Sequence, residues 1–174
     1  MKTAIVWAST TGNTQDAAEA LQECLGELVA TCIHIDDIKV EDMVQYDVVL
    51  IGVSTWDIGE LQADWDVRVD EIRGGDWTNV TVGFFGGGDA VGYPDTFVDA
   101  FGILWELMEP RGARLIGKWP VDDYGFEDSR SLCDDRKFFL GLPFDDDNDP
   151  GLTQGRIEAW ADQIRAEIAQ LRAA

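Results

Sequence analysis

The chain has 174 residues, 45% of them hydrophobic with seven tryptophans, enough to build a core and too apolar for intrinsic disorder. Its 34 acidic against 13 basic residues give a formal charge of −21, which argues against nucleic acid as a partner because phosphates would be repelled. The opening "MKTAIVWAS" carries too short an apolar run for a signal sequence, and no stretch reaches the roughly 20 apolar residues of a membrane span, so a cytoplasmic protein is expected.

The elements alternate along the chain. "TAIVWA" (3–8) reads as a strand. Residues 13–28 read as a helix, with Ala17, Leu21, Cys24, Leu25 and Leu28 on one stripe. "TCIHI" (31–35) is a second strand, "DDIKVEDMVQY" a less regular segment read as a short helix, and "DVVLIGV" (47–53) a third strand. After Asp47 that third run is continuously apolar, as a strand covered on both faces should be. Leu61, Trp65, Val69 and Ile72 form a helical stripe before the fourth strand, "VTVGFFG" (80–86). Phe97, Phe101, Leu104, Trp105 and Met108 form the next, which ends before Pro110 and Gly112. "ARLIGKW" (113–119) is a fifth strand. Residues 120–137, "PVDDYGFEDSRSLCDDRK", are acidic and aperiodic and precede another apolar run, "FFLGLPF"; they read as an excursion interrupting the last strand, either a solvated flap or a partner-docking surface. The final helix carries Ile157, Trp160, Ala161, Ile164, Ile168 and Leu171, with Thr153 expected as its N-cap.

Strand–helix alternation with short connections implies one α/β domain over residues 1–174, a parallel sheet with helices on both faces and right-handed crossovers. Ligands of such sheets bind beyond the carboxyl ends of the strands. Cys24, Cys32 and Cys133 are odd in number and lack CxxC spacing, so neither a disulfide framework nor a zinc site is indicated. His34, the only histidine, lies in the second strand and reads as structural.

Three loops at those strand ends stand out. "STTGNT" (9–14) joins the first strand to the first helix, where free N–H groups and the hydroxyls of Ser9, Thr10, Thr11 and Thr14 surround a phosphate, with Gly12 permitting close approach. Lys2 is the last basic residue before Lys39, and the loop lacks the GxxxxGK[ST] of a polyphosphate site, so a single terminal phosphate suits it better. An ordinary helix start explains this loop equally well by itself. "STWDIGELQADW" (54–65) and "FGGGDAVGYPDTF" (85–97) each present one large aromatic, Trp56 and Tyr93, and such residues at loop tips cover something flat and apolar. Gly86, Gly87 and Gly88 leave backbone N–H groups for a ring edge, and Asp89 offers an acceptor for an imide N–H.

Together "STTGNT", "STWDIGELQADW" and "GGGDAVGYPDTFVDAFGILWE" resemble the three FMN loops of the flavodoxins, over residues 1 to about 172, and the interrupted last strand is similar to the long-chain subgroup. The resemblance implies a three-layer α/β/α sandwich with a five-stranded sheet of order 2-1-3-4-5, strand five split by the insert. It implies one non-covalently bound FMN and a low-potential electron carrier working between semiquinone and hydroquinone, not an enzyme. By position Ser9, Thr10, Thr11, Gly12, Asn13 and Thr14 take the phosphate. Ser54, Thr55, Trp56, Asp57, Ile58 and Gly59 form the inner loop, with Trp56 on one ring face and Tyr93 on the other. Gly87, Gly88 and Asp89 meet the pyrimidine edge and Asp147 the ribityl chain. No metal is expected, and a monomer is.

Asp57 stands where relatives carry Asn or Gly; the resemblance implies a carbonyl that turns toward the flavin there, so Asp57→Gly is expected to favour the semiquinone. Gly87 replaces a common Thr. Implied partners are redox proteins such as ferredoxin–NADP reductase, photosystem I, nitrogenase or pyruvate oxidoreductase. The alternative is an FMN-dependent NAD(P)H:quinone oxidoreductase of the same fold. A phosphorylatable receiver is disfavoured, since the third strand ends in "GVSTW" without an acceptor Asp. Surrounding carboxylates would each oppose electron entry by roughly 0.8 kcal/mol at about 10 Å and an effective dielectric of about 40.

Overall fold

A computed structural model describes residues 1–174. Strand β1 (Thr3–Trp7) leads into α1 (Asn13–Leu25), β2 (Val29–His34), α2 (Val40–Met43) and β3 (Val48–Gly52). Then follow α3 (Ala63–Asp66), α4 (Val69–Gly74), β4 (Thr81–Gly87), α5 (Asp99–Met108), β5 (Arg114–Leu115), β6 (Gly141–Phe144) and α6 (Thr153–Ala173). All pairings of the main sheet are parallel, in the order β6–β4–β3–β1–β2. The short β5 pairs with the start of β4 (Thr81↔Arg114) and β6 with its end (Gly87↔Phe144). The two therefore share one place, the fifth strand of the expected 2-1-3-4-5 order.

The alternation of side chains along each strand sorts the core into two layers. Ala4 and Val6 point to one face with Val49, Ile51, Val82 and Phe84, and meet α2 to α5 through Met43, Trp65, Ile72, Phe101 and Leu104. Ile5, Leu50, Phe85, Leu142 and Phe144 point to the other face and meet Leu21 of α1 and Trp160 and Ile164 of α6. The two layers of buried apolar side chains fix which strand ends form the common rim.

Five expectations change in detail. The stripe from Leu61 to Ile72 is not one helix: Leu61 pairs with Thr55 in a small antiparallel hairpin, and Gln62 starts α3 by accepting the Asp64 N–H. The fifth strand does not run to residue 119, because Gly117 (φ 76°) turns the chain out, held by the Trp160 indole N–H on its carbonyl at 2.7 Å. Trp119–Pro120 and Phe138–Phe139 then pair as an antiparallel base for the excursion, which is longer than 120–137. Thr153 is the first residue of α6 and Leu152 is the cap position, because Pro150–Leu152 is already wound as a 3₁₀ turn. Phe97 precedes α5, which starts at Asp99 after a left-handed residue, Val98.

Candidate functional site

A cleft of about 350 Å³ opens at the carboxyl edge of the sheet, between the loops that follow β1, β3, β4 and β6. Thr11, Asn13 and Thr14 line its first side. The preceding loop closes when the Gly12 N–H donates to Ser9 Oγ at 2.9 Å, with Gly12 at φ 96°. No side chain caps α1, so the N–H groups of Asn13, Thr14 and Gln15 have no acceptor within the helix. Ser9, Thr10 and Gly12 do not line the cleft. Ser9 is used inside the loop, and Thr10 Oγ1 accepts from Gln62 Nε2 at 3.2 Å, which ties the first loop to the second.

Ser54, Thr55, Trp56 and Asp57 line the second side. Trp56 is anchored by its indole N–H on Ser54 Oγ at 2.9 Å, and its backbone pairs with Glu60 in the hairpin. Thr55 Oγ1 is turned away to accept the Ala100 N–H at 3.0 Å. Asp57 already sits in the left-handed region at φ 44°, in the turn that ends at Gly59. Ile58 and Gly59 lie outside the lining, and Ile58 is 77% exposed.

Gly87, Gly88, Asp89 and Tyr93 line the third side. Gly86 does not; it lies against the Val53 carbonyl oxygen, 1.7 Å from where a Cβ would stand, so its place is a packing requirement. The Gly88 N–H donates to the Phe144 carbonyl at 3.1 Å and is therefore engaged within the sheet edge. Asp89 Oδ1 accepts from the Gly92 N–H at 2.7 Å, the Val91 N–H at 3.1 Å and Asn148 Nδ2 at 2.9 Å. The Gly92 N–H and the Asn148 amide hold this carboxyl below the usual range, and only Oδ2 remains to accept from elsewhere.

The fourth side comes from "DDDN" (145–148), where Asp147 lines the cleft as expected and Asp146 lines it unforeseen. Asp145 is buried, and its Oδ2 accepts the Ala90 N–H at 3.0 Å while Asn148 bridges it to Asp89. Gln62 and Asp145 were both missed as positioning residues. The signals were a polar residue directly before α3 and a carboxylate directly after an apolar strand. The lining carries Asp57, Asp89, Asp146 and Asp147 and no basic residue, so any anion here meets neutral donors. His34 stands outside, edge-on to Trp7 with ring centroids 5.0 Å apart, its Nδ1 accepting the Asp36 N–H at 3.2 Å. The three cysteines are free, and burial pushes each thiol up.

The flavodoxin family profile matches residues 5–160. Flavodoxin 1 of Salmonella typhimurium is 41% identical over 166 residues, covering 95% of this chain and 94% of its own. A Nostoc flavodoxin is 38% identical over 167 residues, covering 96% and 97%. Among solved structures, Fusobacterium nucleatum flavodoxin bound to flavin mononucleotide superposes with a TM-score of 0.87 at 23% identity, over 95% of this chain and 98% of that one. The cleft, the strand order and a sequence match spanning most of the chain lead to one assignment: this protein is a member of the flavodoxin family.

Proposed function

We propose that residues 1–174 act as one domain around this cleft, that the cleft holds one FMN, and that the lining residues divide its parts among them. The residues present fit that group. An uncapped helix start with free N–H groups, beside Thr11, Asn13 and Thr14, suits a phosphate dianion without a cation. Trp56 and Tyr93 line the same cleft from separate loops, as a planar ring between them requires. Bound FMN supplies redox chemistry in single electrons.

Trp56, held by Ser54, covers one ring face and Tyr93 the other. The backbone at Gly87 and Oδ2 of Asp89 meet the pyrimidine edge, and Asp146 and Asp147 face the ribityl chain. The four lining carboxylates disfavour added negative charge, each by roughly 0.8 kcal/mol at about 10 Å and a dielectric of about 40, and together set a low potential. Salt weakens the exposed ones.

As a flavodoxin the chain is an electron carrier that serves redox partner proteins, not an enzyme. No helix is long and apolar enough to cross a membrane, and the cytoplasm is the compartment we assign. For partners we favour proteins of the ferredoxin–NADP reductase kind, with photosystem I, nitrogenase and pyruvate oxidoreductase as further candidates. Ile58 (77% exposed), Val91 (67%) and Tyr93 (42%) are apolar points within an acidic surface, suited to brief, charge-steered docking. The observation that carries the reading is the meeting of Trp56, Tyr93 and the start of α1 in one cleft. Titrating the purified apo-protein with FMN, then reducing the complex stepwise without oxygen, tests it. One FMN per chain and a second electron harder to add than in free FMN are expected; no binding, or an unchanged second step, would refute it.

A further inference from the structure

The excursion between β5 and β6 does not lie loosely on the surface. The Glu127 and Asp128 N–H groups donate to the Pro94 carbonyl at 2.8 and 3.0 Å, directly beside Tyr93. Buried Ser129 donates its hydroxyl to the Phe97 carbonyl. Buried Ser131 donates to the Val98 carbonyl and accepts the Gly102 N–H at 2.8 Å. The Arg130 N–H donates to Asp99 Oδ1 at 2.7 Å. The rings of Tyr124, Phe126 and Phe139 pack on Phe97 with centroids 5.7, 5.9 and 5.8 Å away.

These contacts converge on a strained point. Val98 is buried and β-branched, yet sits at φ 51°, ψ 30°, a left-handed conformation that such residues avoid. It is where the Tyr93 loop turns into α5. That helix has no side-chain cap of its own, and Ser131, 29 residues further on from Gly102, supplies an acceptor to its first turn. A strained residue persists only where its surroundings over-determine it, and here the excursion provides them together with Thr55, whose Oγ1 accepts the Ala100 N–H in the same turn.

We propose that residues 127–131 are a positioning clamp: they hold Val98 in its left-handed turn and Pro94 in place, and so set how tightly Tyr93 closes on the flavin ring. The proposal rests on the FMN reading above and assigns the excursion a task at the site, in place of a solvated flap. Its action is on the ring and not on the phosphate, because none of these contacts reaches the loop after β1.

Two variants test it. Ser131→Ala removes the acceptor and donor together, while Gly102→Ala improves helix propensity yet places a Cβ 2.5 Å from the Arg130 carbonyl oxygen, prising the clamp off. Each is measured for riboflavin, FMN and inorganic phosphate affinity, and for amide exchange in the apo-protein. Riboflavin and FMN dissociation constants are expected to rise about tenfold with phosphate affinity unchanged, while exchange quickens at 89–98 and not in β1 or β3. Wild-type flavin affinity and exchange in either folded variant would overturn the proposal, as would parallel loss of riboflavin and phosphate. Should the wild type fail to bind FMN, the functional reading falls, and apo-protein exchange still judges the clamp.

Discussion

Replacing Asp145 with alanine should destabilise the apo-protein by about 2 kcal/mol and loosen FMN. Asp145 is 2% exposed and accepts the Ala90 N–H at 3.0 Å, the Asn148 N–H at 3.2 Å and the Asn148 amide at 2.9 and 2.8 Å. Ala90 is equally buried, so after truncation its N–H has neither acceptor nor water, which costs roughly 1–3 kcal/mol. Asn148 is exposed and regains water at little cost. Asp145 forms no ion pair, so relief from burying its charge offsets part of the loss and keeps the sum near the middle of that range. Asp145→Asn keeps an oxygen for Ala90 but turns an amide donor onto the Asn148 amide, for a loss of about 1 kcal/mol. Because these bonds join the loops after β4 and β6, FMN affinity should fall in the same order, Asn before Ala. Urea unfolding with an unchanged slope, paired with FMN titration, measures both effects. A loss under about 0.5 kcal/mol in the alanine variant, or an asparagine variant as weak as the alanine one, would refute the reasoning.

Gly86→Ala places a Cβ 1.7 Å from the Val53 carbonyl oxygen, forcing β3 and β4 apart, and should cost at least about 3 kcal/mol in thermal unfolding; a variant as stable as the parent would show that the strands yield. The Asp89 carboxyl is held low by the Gly92 N–H and Asn148, so its stabilisation is complete above the unfolded value of about 3.9 and disappears as pH falls through the lower folded value. Apo-protein with Asp89→Asn should therefore lose less stability than the parent on acidification below about pH 4, and superimposable profiles would contradict the assignment. With a net charge of −21 and no cation in the cleft, FMN affinity should rise as salt shortens the Debye length from about 30 Å at 0.01 M to about 8 Å at 0.15 M. An affinity that drops with salt would mean that a cation holds the phosphate.

Much of the architecture was legible because it follows from local periodicity. "VVLIGV" is apolar throughout, and its β3 part, Val48–Gly52, is buried at every residue; the Leu21 and Trp160 stripes face the sheet where their spacing put them. The three rim loops were legible for the same reason: each directly follows an apolar strand. What was not legible depends on contacts between distant segments. The sequence offers Asp145, Asp146 and Asp147 as equivalent neighbours, and only packing against the loop after β4 turns the first into the core while the other two line the cleft. Asp89 similarly reads as a free acceptor until Asn148, 59 residues away, takes one of its oxygens.

The excursion shows the same division. Its composition, acidic and aperiodic, describes a solvated surface, and Asp122, Asp123, Gly125, Glu127 and Asp128 are exposed. That Ser129 and Ser131 are buried against α5, and that Tyr124 and Phe126 close on Phe97, could not be read from residues 120–137, because nothing local distinguishes a buried serine from an exposed one. By itself the amino-acid order determined the first four strands, most helix faces and the three loops, since hydrophobic spacing acts within a few residues. Only the tertiary structure decided which polar groups face the cleft and which are spent holding it, since a hydrogen-bond partner many residues away exists only once the chain has folded.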